Sequence, residues 1–238
     1  MLGYRYLQKW HYFLKFLPLY ILIFTNLVVE TKAPDAEFFK REMEKFNSLK
    51  DLRGEIYWRC LDLIDKNLRL GEDQIESRLD AYLLLLASWN VANFRKFIKG
   101  DFDSFKTAIS YCEEKFSQFD NKTFENIDFE ECRNDISDIF NRLSSVGSIL
   151  YTGASKIMHL RNPKVFVMWD VKIRRRYGYR INEKDGNAYV DFIKKIQSSF
   201  SAIFPEINII LSKDKRKNKT ITKAIDEFNY KVITLDKK

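Results

Sequence analysis

Asp170 is the one acid in a stretch dense with cations. Residues 156–180 carry Lys156, Arg161, Lys164, Lys172, Arg174, Arg175, Arg176 and Arg180 against that single carboxylate. Cations around a carboxylate favour its charged form. A charged carboxylate there has two readings. It stabilises positive charge on a reacting sugar, electrostatically or by activating water. Alternatively it caps the following helix, a role worth about 1 kcal/mol by itself. Lys156 is the amine suited to a covalent step, which needs a lysine tuned by burial and neighbouring cations; the plain alternative is a solvent-facing helical lysine. Lys172, Arg174, Arg175 and Arg176 project around one short helix, where guanidinium groups can grip phosphate in bidentate fashion. Gly147 and Ser148 lie in a polar break leading into a helix, where backbone N–H groups form an anion site. Gly147 is free to take positive φ there, or simply ends the preceding helix. Trp89, Trp169 and Tyr177 are candidates for lining a pocket that receives a flipped base, with plain core packing as the alternative. His159 reads as a partly buried helix residue.

The charge of the whole chain is +8, and it is segregated. A second basic run, residues 213–223, holds Lys213, Lys215, Arg216, Lys217, Lys219 and Lys223 against Asp214. Clustered positive charge is the footprint of a phosphate-binding face, although a solvated charged surface produces the same string. The cysteines, Cys60, Cys112 and Cys132, are odd in number and lack CxxC spacing, and the histidines are only His11 and His159. That composition excludes a disulfide framework and leaves no metal centre or cofactor to expect. Unpaired thiols point to a reducing, cytoplasmic setting.

The elements that must position these residues read as helices. Gly (8) and Pro (4) are scarce, so tight turns are few and long helices are favoured. Pro34-Asp35 opens a helix that runs to about Leu49, with acids at the positive end of its dipole, and apolar residues recur with a period near 3.6 in residues 54–68, 105–119, 129–143 and 189–203. Residues 82–89 are apolar on nearly every face, as in a helix wrapped by others. Asn162-Pro163 ends the helix that begins after Gly147. The apolar residues 165–169 then lead to Asp170 at a helix N-cap. Residues 232–235 are the one short stretch compatible with a strand, and residues 213–223 read as a basic loop before a short terminal helix. The expected architecture is an all-α multi-helix bundle, with residues 34–238 as one helical domain.

Residues 1–33 stand apart. Residues 16–29 form an apolar run preceded by Arg5, Lys9 and Lys15, which is short of the roughly 20 residues a spanning helix needs. The basic-then-apolar plan is that of a signal segment. A membrane anchor through residues 13–29, a buried core helix and an over-extended start are the other readings. In the anchored case the basic face would meet anionic lipid.

A family resemblance rests on residues 143–178. The order helix, Ser145-Val146-Gly147, helix, apolar stretch, Asp170-Val-Lys-Ile-Arg-Arg resembles the core of the helix-hairpin-helix DNA base-excision glycosylases. The pattern Gly153-Ala-Ser-Lys-Ile-Met-His, Pro163, Trp169-Asp170, Ile173-Arg174, Tyr177-Gly178 is similar to that of remote cousins of those enzymes. The resemblance implies an all-α fold with a helix-hairpin-helix element, DNA as partner, and N-glycosylase activity with Asp170 as the carboxylate. There are departures. Ser145 stands where the family has a first hairpin glycine. In that register the Schiff-base lysine position falls on Ile149, with Lys156 two turns further on about the same face. Matching Gly153-Ala-Ser-Lys156 to the hairpin brings Lys156 near the lysine position but shortens its spacing to Asp170. The first register gives the hairpin a following helix of sensible length. The Ile149 departure favours a non-catalytic helical nucleic-acid-binding relative as the alternative.

Overall fold

The computed structural model describes residues 33–49, 52–69, 74–97, 99–100, 102–180, 182, 184–214, 216 and 218–236. The N-terminal apolar run, and the membrane reading built on residues 13–29, lie outside these. Among the described residues the protein is all-α, with no strand, and no helix is long and apolar enough to cross a membrane. The helices are α1 (Ala36–Asn47), α2 (Leu52–Arg69), α3 (Gln74–Trp89), α4 (Val91–Phe97), α5 (Phe102–Phe116), α6 (Arg133–Ser144), α7 (Leu150–Arg161), α8 (Val171–Arg176), α9 (Gly186–Phe200), α10 (Phe204–Ser212) and α11 (Ile221–Asn229). Single 3-10 turns, Ser117–Phe119 and Ser201–Ile203, follow α5 and α9.

Side chains cap several helix starts, satisfying N–H groups that no helix can satisfy internally. Asp35 accepts from the Phe38 N–H at 2.7 Å, Asp185 from Ala188 at 2.9 Å, and Thr220 from Lys223 at 3.2 Å. Residues 232–235 are not a strand: they belong to a π-helical stretch, Tyr230–Leu235, that continues α11 and buries Lys231 and Ile233. A short apolar run carries no period long enough to separate the two states, and the preceding helix decides it.

The core is one apolar cluster fed by all the long helices. α3 buries Ala81, Tyr82, Leu85 and Leu86, but Leu84 stays exposed, so the helix is not wrapped on every face. Two glycines permit close crossings. At Gly186, opening α9, a Cβ would stand 2.3 Å from the Ser137 carbonyl oxygen and 2.5 Å from its Cα; the Gly186 N–H donates to Asn141 Oδ1 at 2.8 Å. At Gly153 in α7, a Cβ would stand 2.8 Å from Ile149 Cγ2 and 3.1 Å from Asn90 Nδ2.

α6 and α7 are joined by residues 145–149. Asn90, just past α3, holds this connection by donating to the carbonyls of Ser148 (3.4 Å) and Ile149 (3.2 Å). The left-handed residue here is Leu150, at φ 54°, and Gly147 is not among the glycines at positive φ. The expected freedom of Gly147 is therefore not what turns the chain. Gly153 lies inside α7, so only residues 145–149 can be the connection between the two helices.

Adding a methyl at Gly186 should cost about 1–3 kcal/mol, because backbone of α6 occupies the space. Gly54→Ala in α2, where nothing lies within 4 Å, should instead gain about 0.5–1 kcal/mol. Urea unfolding of the two variants checks this; equal stabilities would contradict the crossing.

Candidate active site

Residues 165–169 run buried through the interior without regular structure, so their backbone polar groups need side-chain partners. Three are supplied. His159 Nδ1 stands 2.6 Å from the Phe166 carbonyl oxygen, the Tyr189 hydroxyl donates to the Val167 carbonyl at 2.8 Å, and the Trp169 N–H donates to Ser155 Oγ at 2.9 Å. The last bond matters most for chemistry. The residue after Ser155 is Lys156 and the residue after Trp169 is Asp170, so one hydrogen bond draws the two expected functional groups to the same region. Asp170 caps α8, its Oδ1 accepting from the Lys172 N–H at 2.7 Å. Lys156 is 8% exposed, and its ammonium donates to the Trp89 carbonyl at 2.6 Å and lies 5.8 Å from the Trp89 ring centre.

α11 closes the arrangement. Lys223 Nζ lies 4.6 Å from the Tyr57 ring centre and 5.3 Å from that of Trp89. Trp89, Lys156, Met168, Asp170 and Ile173 thus share with Lys223, Asp226, Glu227 and Tyr230 a cavity of about 120 Å³. A wider groove of about 1140 Å³ between α1 and α10 adjoins it through Phe46, Gly54 and Glu227. Acids (Glu37, Glu44, Glu55, Glu206) and cations (Lys40, Lys213, Arg216) alternate in that groove, which is no track for phosphates.

The charges on α11 and on the segment leading into it form a buried ladder. Lys219 pairs with Glu227 (2.5 Å) and Asp214 (3.2 Å), while Lys223 reaches Glu227 (3.4 Å) and Asp226 (3.6 Å). In and beside the cavity the ammonium groups of Lys156, Lys219 and Lys223 stand against the carboxylates of Asp170, Asp214 and Glu227. A charged Asp226 is therefore one anion in excess, in a place with little water. Burial pushes its carboxyl up to about 6, helped by Glu227 and Asp170 and opposed by Lys223 and Lys156. Three carboxyls, Asp170, Asp226 and Glu227, line one cavity, and Asp226 is made reluctant to ionise, the kind of arrangement from which acid–base pairs are built.

Behind the cavity, burial pushes the His159 imidazole down to about 3, with the Phe166 carbonyl opposing and Lys223 adding to the shift. His159 is neutral. A carbonyl oxygen can only accept, so Nδ1 carries the hydrogen, and Nε2 accepts from the Tyr57 hydroxyl at 3.1 Å. That bond fixes Tyr57, which stacks on Trp89 with ring centres 6.1 Å apart.

Of the residues picked from the sequence, Asp170, Lys156 and Trp89 come together in the cavity. Trp169 does not: it is fully buried among Phe140, Tyr189 and Phe192. Tyr177 is also core, its hydroxyl donating to Asn229 at 3.0 Å. Arg174 is fully buried, its guanidinium 4.5 Å from the Tyr151 ring centre and 5.4 Å from that of Trp169, and so is no surface phosphate ligand. Lys172 and Arg175 are exposed on α8 and Arg176 is half-buried; on the α6–α7 connection Gly147 is exposed and Ser148 buried. The second basic run is not simply a basic loop: Lys223 lies within α11, and Lys219 and Lys223 are buried in ion pairs. In the sequence Lys223 stands out only as part of the second basic run, and Asp226 and Glu227 not at all, although their i, i+3 and i, i+4 spacing from Lys223 is a signal. Among the described residues no group of His, Cys, Asp and Glu could hold a metal ion. The chain matches no protein-family model, no curated protein and no solved structure, so its chemistry has to be read from these side chains.

His159 titrates differently in the two states. The unfolded chain takes up a proton below about 6.5 while the folded site refuses it down to about 3, so stability drains away as pH falls through that window. The stability gap between wild type and His159→Gln should shrink on acidification by up to about 1.4 kcal/mol per pH unit. Urea titrations from pH 7 to 4 measure it; a gap constant with pH would contradict the buried neutral imidazole.

Proposed function

We propose that this cavity is the catalytic site of a DNA-binding protein resembling the base-excision glycosylases, with Asp170 as its carboxylate and Lys156 as its amine. One observation carries the reading: Asp170, Lys156 and Trp89, distant in sequence, line a single small cavity. Cleaving a base from its sugar builds oxocarbenium-like charge at C1′, and a fixed carboxylate lowers that barrier. An amine beside it, shielded from water and close to a second ammonium, is suited to attack the same carbon. The connection of residues 145–149, tied to α3 through Asn90, is read as the phosphate-gripping hairpin, with Gly147 and Ser148 supplying backbone N–H groups. Lys172, Arg175 and Arg176 are read as its neighbours on the DNA backbone. Phosphate contacts of this kind position the duplex and make binding salt-sensitive.

Ile149 favours a second reading, nucleic-acid binding without chemistry. It is fully buried at the position where the resemblance expects the lysine.

Duplexes carrying oxidised, deaminated or alkylated bases separate the two. Wild type should release at least one of these bases, and Asp170→Asn should slow release about 100-fold or more. Borohydride should trap a covalent complex that Lys156→Ala cannot form. Lys172→Ala and Arg175→Ala should each weaken binding and reduce the salt slope by about 1. Salt-sensitive binding without release of any base would select the second reading.

A further inference from the structure

Resting on the glycosylase reading, we infer that Asp226 is the site's proton donor, handing a proton to the departing base while Asp170 acts as the carboxylate. Nothing in the α11 sequence marks this role; the fold creates it. α11 is buried on every residue, and Asp226 is 8% exposed yet lines the same cavity as Asp170 and Lys156.

The groups facing Asp226 come from three other elements as well as its own. Lys223 and Glu227 are its helix neighbours, Lys156 reaches it from α7, and Asp170 from the start of α8. Tyr57 on α2 feels its charge. With those groups in their usual states the cluster is already neutral, so a charge on Asp226 is uncompensated and its proton is held more tightly than that of an ordinary carboxyl. The carboxyl is held to about 6, inside the range where a group both carries a proton and releases it readily near neutral pH.

The step balances. As the C1′–N bond breaks, its electron pair passes to the base, and a ring nitrogen of the base takes the Asp226 proton. Water, or the Lys156 amine followed by water that hydrolyses the resulting imine, adds to C1′, and the proton released passes to Asp170. The products are a neutral base and an abasic sugar; Asp170 releases its proton and Asp226 regains one from solvent. A base that is already cationic, such as 7-methylguanine, departs without that proton. Asp226 therefore separates two classes of leaving group, which a purely structural carboxyl would not.

The test is single-turnover excision from duplexes containing uracil, hypoxanthine or 7-methylguanine, with wild type, Asp226→Asn and Asp170→Asn. Asp226→Asn should lose about 100-fold or more on the neutral bases and stay near wild type on 7-methylguanine, whereas Asp170→Asn should lose both. If Asp226→Asn does not fold, the wild-type pH profile replaces it: excision of neutral bases should fall as pH rises through about 6, with 7-methylguanine insensitive. Equal loss, or no loss, on the two classes overturns the donor role and leaves the glycosylase reading standing. Should wild type release none of these bases, nor any oxidised base, the glycosylase reading fails and the donor role falls with it.

Discussion

A buried, irregular backbone is the constraint around which this molecule is organised. Residues 165–169 cross the interior without a helix to absorb their hydrogen bonds, and an unmet buried N–H or C=O costs about 1–3 kcal/mol. His159, Tyr189 and Ser155 answer three of those groups, from α7 and α9. Each clamp is also a positioning device. His159 passes its orientation to Tyr57, and Tyr57 supports Trp89 and Lys223. Ser155 holds the strap where Asp170 begins its helix, one residue from Lys156 on the other side. The strap and the cavity are one construction.

Folding sorts the cations into two groups. Arg161 is tied to Glu113 and Asp120, Arg174 lies under aromatic rings, and Lys219 and Lys223 sit in the α11 ladder. Lys164, Lys172 and Arg175 remain exposed. Buried ion pairs are weak stabilisers, because desolvating the partners cancels much of their attraction. Their charges also trim the protonation of their neighbours: burial raises the Asp226 carboxyl, Lys223 and Lys156 oppose the shift, and Glu227 and Asp170 add to it.

Trp89 illustrates how the site differs from an open stacking platform. The ring rests on Tyr57 and has ammonium groups of Lys156 and Lys223 within 6 Å of its centre. Its electron-rich face is thereby used to hold cations in place. Those cations in turn face Asp170 and Asp226, so the aromatic pair sets the geometry of the acids without touching them.

Most helices and the cap at Asp170 were legible in the residue string, though the short α4 and α10 were not and α6 begins at Arg133, four residues later than its apolar pattern. Apolar periodicity, Asp35, Asn162-Pro163 and Asp170 act on backbone groups within about four positions, and such effects are local by nature. The pairing of Asp170 with Lys156 was legible as two isolated candidates, not as a meeting. Burial decided the rest. Arg174, Trp169, Tyr177 and the whole of α11 look like surface or core only once distant helices stand beside them, and a lysine four residues from a glutamate is solvated or sealed according to what packs above it. Charge pairing and desolvation depend on neighbours in space. Only the tertiary structure supplies those neighbours, and it alone brings Lys223, Asp226 and Glu227 to the wall of a cavity.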